Sequence, residues 1–209
     1  MLYVLGQHEL ARCLFPVGRL TKAEVRAHAA ALGLVTADKP DSQDVCFITT
    51  SGGREAFLAP RIALHPGRVV DLDGVPVGHV EAVELVTVGQ RRGLGTGGGA
   101  RRYALSVDPA TSTVVAGTVA DLHADRVALG PMTWVGGRPP PAAGRLAVEA
   151  QCSAHAPAGA AVFDDHLPDG SPDPDGGTVV FAEPRRRVAP GQSVVLYRGD
   201  RVLGGGIVR

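Results

Sequence analysis

Glycine and proline interrupt this chain too often for a long helix or a long strand to fit between them. The 28 glycines and 16 prolines among its 209 residues separate short runs of Val, Leu and Ala, the texture of short strands joined by tight turns. Aromatic residues make up only 4% of the chain, so any core must be aliphatic. Residues 67–72 and 75–78 flank Asp73-Gly74, a two-residue hairpin signal that puts Pro76 on an edge or at an unpaired position. Residues 103–107 and 113–116 form a second pair around Asp108-Pro109. Beyond Gly117, short strands at 126–129, 146–150, 160–163, 178–181, 194–197 and 201–203 recur at the spacing of a small barrel. Gly199-Asp200 joins the last two. Two biased insertions, 136–144 and 165–177, read as exposed loops without function.

The first 50 residues differ in texture. Residues 7–14 suggest a short helix with Leu10, Cys13 and Leu14 inward, ended by Pro16 and Gly18. Thr21-Lys22-Ala23-Glu24 is a capping box. Val25, Ala29 and Leu32 then hold one apolar face, and Gly33 supplies a left-handed stop. A segment of this size does not easily sustain its own core, so it reads as the end of an α/β domain. The expected fold is α+β, mostly β, in three parts: 1–50, 51–117 and a C-terminal β-barrel at 118–209.

Several function classes drop out on residue type. The 21 basic and 21 acidic residues cancel, so no global field announces a polyanion partner. The basic residues are almost all arginine, which suits phosphate recognition but is also the mark of a GC-rich genome. The three cysteines (Cys13, Cys46, Cys152) have neither disulfide-framework nor zinc spacing, and the histidines never recur at ligand spacing, so no metal site is expected. No run of about 18 apolar residues and no signal-peptide pattern is present, which makes the expected location cytoplasmic, without a membrane partner. A serine–histidine–aspartate arrangement is likewise not evident.

Three stretches carry candidate chemistry. Cys46 lies where the polar segment Asp41-Ser42-Gln43-Asp44 turns into apolar Val45, Phe47 and Ile48. That is where reactive side chains are often presented, although a cysteine beside Phe and Ile is also a common small buried hydrophobe. Residues 89–99 combine dense glycine with Arg91 and Arg92, followed by Arg101 and Arg102. Such a segment lets backbone amides approach an anion, although it lacks the Gly-Lys-Ser/Thr of a phosphate loop. Arg185-Arg186-Arg187 precede Pro190-Gly191-Gln192-Ser193, either as phosphate contacts or as a solvated charge run. The residues alone point to cysteine-based sulfur or acyl transfer near a polyanion.

Asp41-Ser42-Gln43-Asp44-Val45-Cys46-Phe47-Ile48 resembles the motif around the second catalytic cysteine of the tRNA-specific 2-thiouridylase (MnmA) family. Leu14-Phe15-Pro16-Val17-Gly18, Thr87-Val88-Gly89-Gln90-Arg91-Arg92-Gly93-Leu94-Gly95, and Pro190-Gly191-Gln192-Ser193 with Leu203-Gly204-Gly205-Gly206-Ile207 match the same family in order. The resemblance implies ATP-dependent 2-thiolation of the tRNA wobble uridine. Cys46 would be the persulfide carrier, loaded by a sulfur-donor protein such as a cysteine desulfurase or sulfur relay. A second cysteine completes transfer with formation of a disulfide. The resemblance also implies that ATP and magnesium bind a domain preceding Met1, so that this chain is the last three-fifths of an enzyme and has no cofactor site of its own. Gln192 matches a tRNA-contacting position, and Ser153-Ala154 stand where many relatives carry an Arg-Tyr pair, with His155 adjacent. Arg91 and Arg92 would add phosphate contacts, whereas Cys152, expected in a strand, does not replace the second cysteine. The alternative reading is a non-catalytic tRNA-binding module completed by a separate ATP domain.

Overall fold

The computed structural model describes residues 2–40, 53–97, 99, 101–140, 144–154, 156–167 and 169–209. The chain divides into two compact units. One is Ala11–Ala63; the other joins Leu64–Arg209 to the N-terminal residues as far as Leu10. Helix α1 (Gln7–Leu10) lies in the larger unit, and α2 (Lys22–Ala31) and α3 (Gly53–Leu58) lie in the smaller.

In the smaller unit, α2 begins at the expected capping box. Glu24 N–H donates to Thr21 Oγ1 at 3.4 Å, and Thr21 N–H donates to Glu24 Oε2 at 2.7 Å. The Thr21 N–H foremost, and then the Thr21 hydroxyl, which also donates to Glu24 Oε2 at 2.7 Å, hold the Glu24 carboxyl below its ordinary range. Gly33 follows the helix with φ +66°, the left-handed stop the sequence called for. Two expectations fail. The helix expected over residues 7–14 spans only Gln7–Leu10, shorter than Pro16 alone requires, and Leu14 is 88% exposed. Leu32, assigned to the apolar face, is 75% exposed.

In the larger unit, strands β1 (Gly67–Val70), β2 (Pro76–Val80), β3 (Tyr103–Asp108) and β4 (Thr113–Gly117) form a sheet in the order β2-β1-β4-β3. Only the β1–β4 pair is parallel. Pro76 lies on the edge strand, as its missing N–H requires. The hairpin is wider than two residues. Asp71 Oδ1 accepts the N–H groups of Asp73 and Val75 at 3.1 and 2.9 Å, and this Asx turn opens the connection to residues 71–75. Val69, Val83, Leu94 and Val114 fill the core.

Leu94 comes from the glycine–arginine stretch and is 1% exposed. Its neighbour Gly95 (φ +60°) presses against β2, so that a Cβ there would meet His79 O at 2.2 Å. At this point, glycine serves close packing within the protein rather than approach to an anion.

Strands β5 (His123–Leu129), β6 (Thr133–Trp134), β7 (Arg145–Gln151), β8 (Gly159–Asp164), β9 (Gly177–Arg186), β10 (Ser193–Arg198) and β11 (Arg201–Ile207) form a curled antiparallel sheet in the order β5-β9-β8-β7-β10-β11-β6. The curl brings β5 back to the chain end: Leu129 bridges Val208, and Gly130 N–H donates to Ile207 O at 2.8 Å. Along β7 the inward Leu146, Val148 and Ala150 alternate with exposed residues. They join Leu129, Phe163, Val179, Val194 and Leu196 in one core. Trp134 packs edge-on against Phe163 at 5.5 Å. Tyr3 is buried against this sheet, its hydroxyl donating to Ser193 Oγ at 3.0 Å.

Leu94→Ala should destabilise the larger unit by about 2–5 kcal/mol through the cavity it leaves, whereas Leu14→Ala should stay within about 0.5 kcal/mol. Urea denaturation midpoints of the two variants check this, and equal midpoints would refute the anchoring role of Leu94.

Candidate functional site

Three consecutive guanidiniums at the end of β9 each take hold of a different segment. Arg185 Nη1 donates to Pro157 O at 3.0 Å, Arg186 Nη2 to Gly89 O at 3.3 Å, and Arg187 Nε to Asp121 O at 2.8 Å. Arg187 also donates its backbone N–H to Leu122 O at 2.7 Å. Gly89 (φ +85°) lies so close that a Cβ would stand 2.5 Å from Arg186 Nη2. Asp121 is itself braced, its Oδ2 accepting both the N–H and the hydroxyl of Thr118 at 2.7 Å. The hydroxyl bond foremost, then the N–H, lowers its carboxyl pKa, and Arg187 adds to the effect. Each guanidinium has five N–H donors, so these bonds leave others available.

The arginines form one wall of a groove of about 530 Å³. Its remaining wall comes from the turns that leave β7 and enter β10, with Cys152, Ser153 and Gln192, and from His123, Glu183 and Val88. The turn after β7 is held by Gln151, whose Nε2 donates to Ala156 O at 2.9 Å and whose Oε1 accepts from Tyr197 Oη at 3.0 Å. The turn before β10 closes on itself. Gln192 N–H donates to Ala189 O at 3.2 Å, and Gln192 Oε1 accepts from Ala189 N–H at 3.4 Å. Among the described residues nothing accepts from Gln192 Nε2, which leaves an amide donor at the groove.

Of the residues nominated from sequence, Ser153 and Gln192 meet in this groove with Arg185, Arg186 and Arg187. Ala154 is exposed on the same turn without lining it. Arg91 and Arg92 are exposed but do not line it. Their loop is stitched into the central sheet instead, Gly89 N–H donating to Ala104 O at 2.7 Å and Ala104 N–H to Gln90 O at 2.9 Å. The Gly89 amide is therefore spent on the protein. Cys46 and His155 lie outside the described residues. Cys152 sits just beyond β7 rather than in a strand, and burial raises its thiol pKa despite the opposing charge of Arg185.

Sequence reasoning missed that Arg185 and Arg186 end a strand, since Pro184 reads as a strand breaker; Arg186 pairs with His123 nonetheless. It also missed that Asp164, Asp165 and His166 gather their ligand-type atoms within 4.8 Å. Asp164 there already bonds Arg145 Nε at 3.0 Å, which accounts for the cluster as a braced turn.

Residues 1–50 match the tRNA methyl transferase HUP domain, residues 55–118 the tRNA methyl transferase PRC-barrel domain, and residues 125–208 the aminomethyltransferase beta-barrel domain. The tRNA-specific 2-thiouridylase MnmA of Chloroflexus aurantiacus (strain J-10-fl) is 44% identical over 99% of the chain and 55% of its own length. The proteins of the same name from Roseiflexus sp. (strain RS-1) and Synechococcus sp. (strain JA-2-3B'a(2-13)) are 43% and 41% identical, again over 99% of the chain and over 53% and 54% of their own lengths. The chain belongs to the tRNA-specific 2-thiouridylase family. It spans about half the length of the 2-thiouridylases it matches. No helix among the described residues is long and apolar enough to cross a membrane.

Because burial raises the Cys152 pKa above the ordinary thiol value, alkylation at about pH 8 should be several-fold slower than for an unstructured thiol, which titrates near 8.5. Peptide mapping after iodoacetamide treatment of the folded and guanidinium-unfolded chain checks this. Equal labelling rates in the two states would contradict it.

Proposed function

We propose that this chain is the RNA-gripping and sulfur-carrying part of a tRNA uridine 2-sulfurtransferase. The observation that supports the reading is the groove in which Gln192, Ser153 and the arginines of residues 185–187 converge from separate strand ends. Guanidinium forks suit phosphate oxygens, and a side-chain amide suits a base edge or a sugar. Gln192 also falls on a position that contacts tRNA in the family's motif, while Ser153-Ala154 replace the Arg-Tyr pair that many relatives carry.

Residues 1–50, similar to a HUP domain, would form the end of an α/β domain that binds ATP with magnesium. Bound there, ATP would supply an adenylyl group to the uridine C2 oxygen, with release of pyrophosphate, so that this oxygen becomes a leaving group. A desulfurase or relay protein loads Cys46 as a persulfide, which ionises more readily than a thiol and so tolerates the neighbouring aspartates better. The terminal sulfur attacks C2 and AMP departs. A second thiolate, from outside these 209 residues, then attacks Cys46 Sγ. The sulfur–sulfur bond breaks toward the sulfur now on C2, leaving 2-thiouridine and a protein disulfide that a thiol reductant reopens.

Incubation with a cysteine desulfurase and cysteine labelled in its sulfur should place dithiothreitol-labile label on the chain, and Cys46→Ser should lose it while Cys13→Ala and Cys152→Ala retain it. Filter binding should find tRNA affinity no tighter than about micromolar at low salt, near the strong end of the non-specific range. Gln192→Ala should weaken it several-fold without altering its salt dependence, since an amide releases no counterion. Label retained in Cys46→Ser would end the sulfur assignment, and no tRNA binding even at low salt would end the RNA assignment.

A further inference from the structure

A second basic cavity lies at the other end of β10. Gln192 immediately precedes the strand; Arg198 ends it, and Arg201 starts β11. With Arg138 and Gln7 these arginines line a cavity of about 510 Å³. Its floor is fastened, Gln7 Nε2 donating to Val135 O at 2.9 Å. All three arginines are exposed. The arginine ion pairs among the described residues engage Arg126, Arg145 and Arg209; Arg138, Arg198 and Arg201 have neither carboxylate nor hydrogen-bond partner there.

Arg198 and Arg201 also stand directly opposite each other in the hairpin register, a like-charge pairing that costs stability unless an anion offsets it. The nearby carboxylates do not do so. Glu149 Oε2 accepts from Gly199 N–H at 3.1 Å, and Asp200, in the turn, does not line the cavity. In a chain of zero net charge, three unneutralised guanidiniums around one concavity form a local anion-binding field. The lining contains no aromatic anchor of the kind a protein partner would use. Arginine forks match phosphate oxygens in pairs.

We propose that this cavity binds backbone phosphates of RNA, as a second contact set apart from the Gln192 groove by the length of β10. The six residues of that strand, at about 3.3 Å each, separate the two sites by roughly 20 Å, a span that a folded RNA covers and a mononucleotide does not. The proposal rests on the tRNA reading above and adds a site to it.

Filter binding of a tRNA transcript across a salt series tests it, using the whole chain. Arg138→Ala/Arg198→Ala/Arg201→Ala should weaken binding at low salt and lower the slope of log affinity against log salt by roughly 2, at about 0.7–0.9 for each phosphate no longer neutralised. Arg198→Lys/Arg201→Lys, which keeps the charges, should largely keep the slope. Arg12→Ala/Arg19→Ala, which removes two exposed charges from the other unit, should leave the slope unchanged. Circular dichroism of each variant should match the parent. An unchanged slope in the triple variant, with Gln192→Ala still weakening binding, overturns this site and leaves the tRNA reading standing. An equal drop in slope for Arg12→Ala/Arg19→Ala also overturns it, by reducing the effect to net charge. If the parent chain itself fails to bind tRNA, the functional reading falls, and this site with it.

Discussion

The groove exists because three adjacent guanidiniums are each anchored to a backbone carbonyl. Arg185, Arg186 and Arg187 reach Pro157, Gly89 and Asp121, which lie before β8, before β3 and before β5. A charged donor on a neutral carbonyl is worth more than an ordinary hydrogen bond. Such an anchor also restricts a long side chain that would otherwise sample many rotamers. The same residues thus brace the larger unit and present positive charge with little left to order, which is the preorganisation a binding surface needs. The barrel core beneath, built on Leu129, Val179, Val194 and Leu196, fixes the strand ends from which these side chains start.

Much of the architecture was legible because short strands of β-branched and aliphatic residues carry their own signal. The alternation along residues 145–151 and the strand pair at 103–108 and 113–117 emerge where the sequence puts them. Thr133–Trp134 carries no such signal, because two residues have no period; β6 forms where Gly204 in β11 lets another backbone approach closely. Strand β9 looked finished before Pro184. In the fold its register with β5 breaks between Ala124 and Arg126, and that irregularity accommodates the missing N–H. Short-range patterns cannot report an accommodation made by a neighbouring strand.

The candidate site divides along the same line. Gln192 and Ser153 were nominated by motif, and their meeting in one groove is a property of strand order, with β7 beside β10. Arg91 and Arg92 were nominated by motif and composition together, and they stand exposed outside this groove. Glycines at 89 and 95 looked like room for a ligand. They are room for Arg186 and His79. Leu94 gave the only sequence hint, a lone apolar residue amid polar and glycine positions, and it proves to be the loop's anchor.

The hydrogen bond from Tyr3 to Ser193 joins residues 190 positions apart. On a ribosome it cannot form until Ser193 has emerged, after every residue between the two has been made. The central sheet, complete by Gly117, has every strand it needs long before that. Closure of the barrel on Tyr3 therefore follows synthesis of the central sheet, and it bears the loop-closure cost of a contact 190 residues long. Until β10 and β11 have emerged, Tyr3 lacks the strands that bury it and is a surface for chaperones to shield.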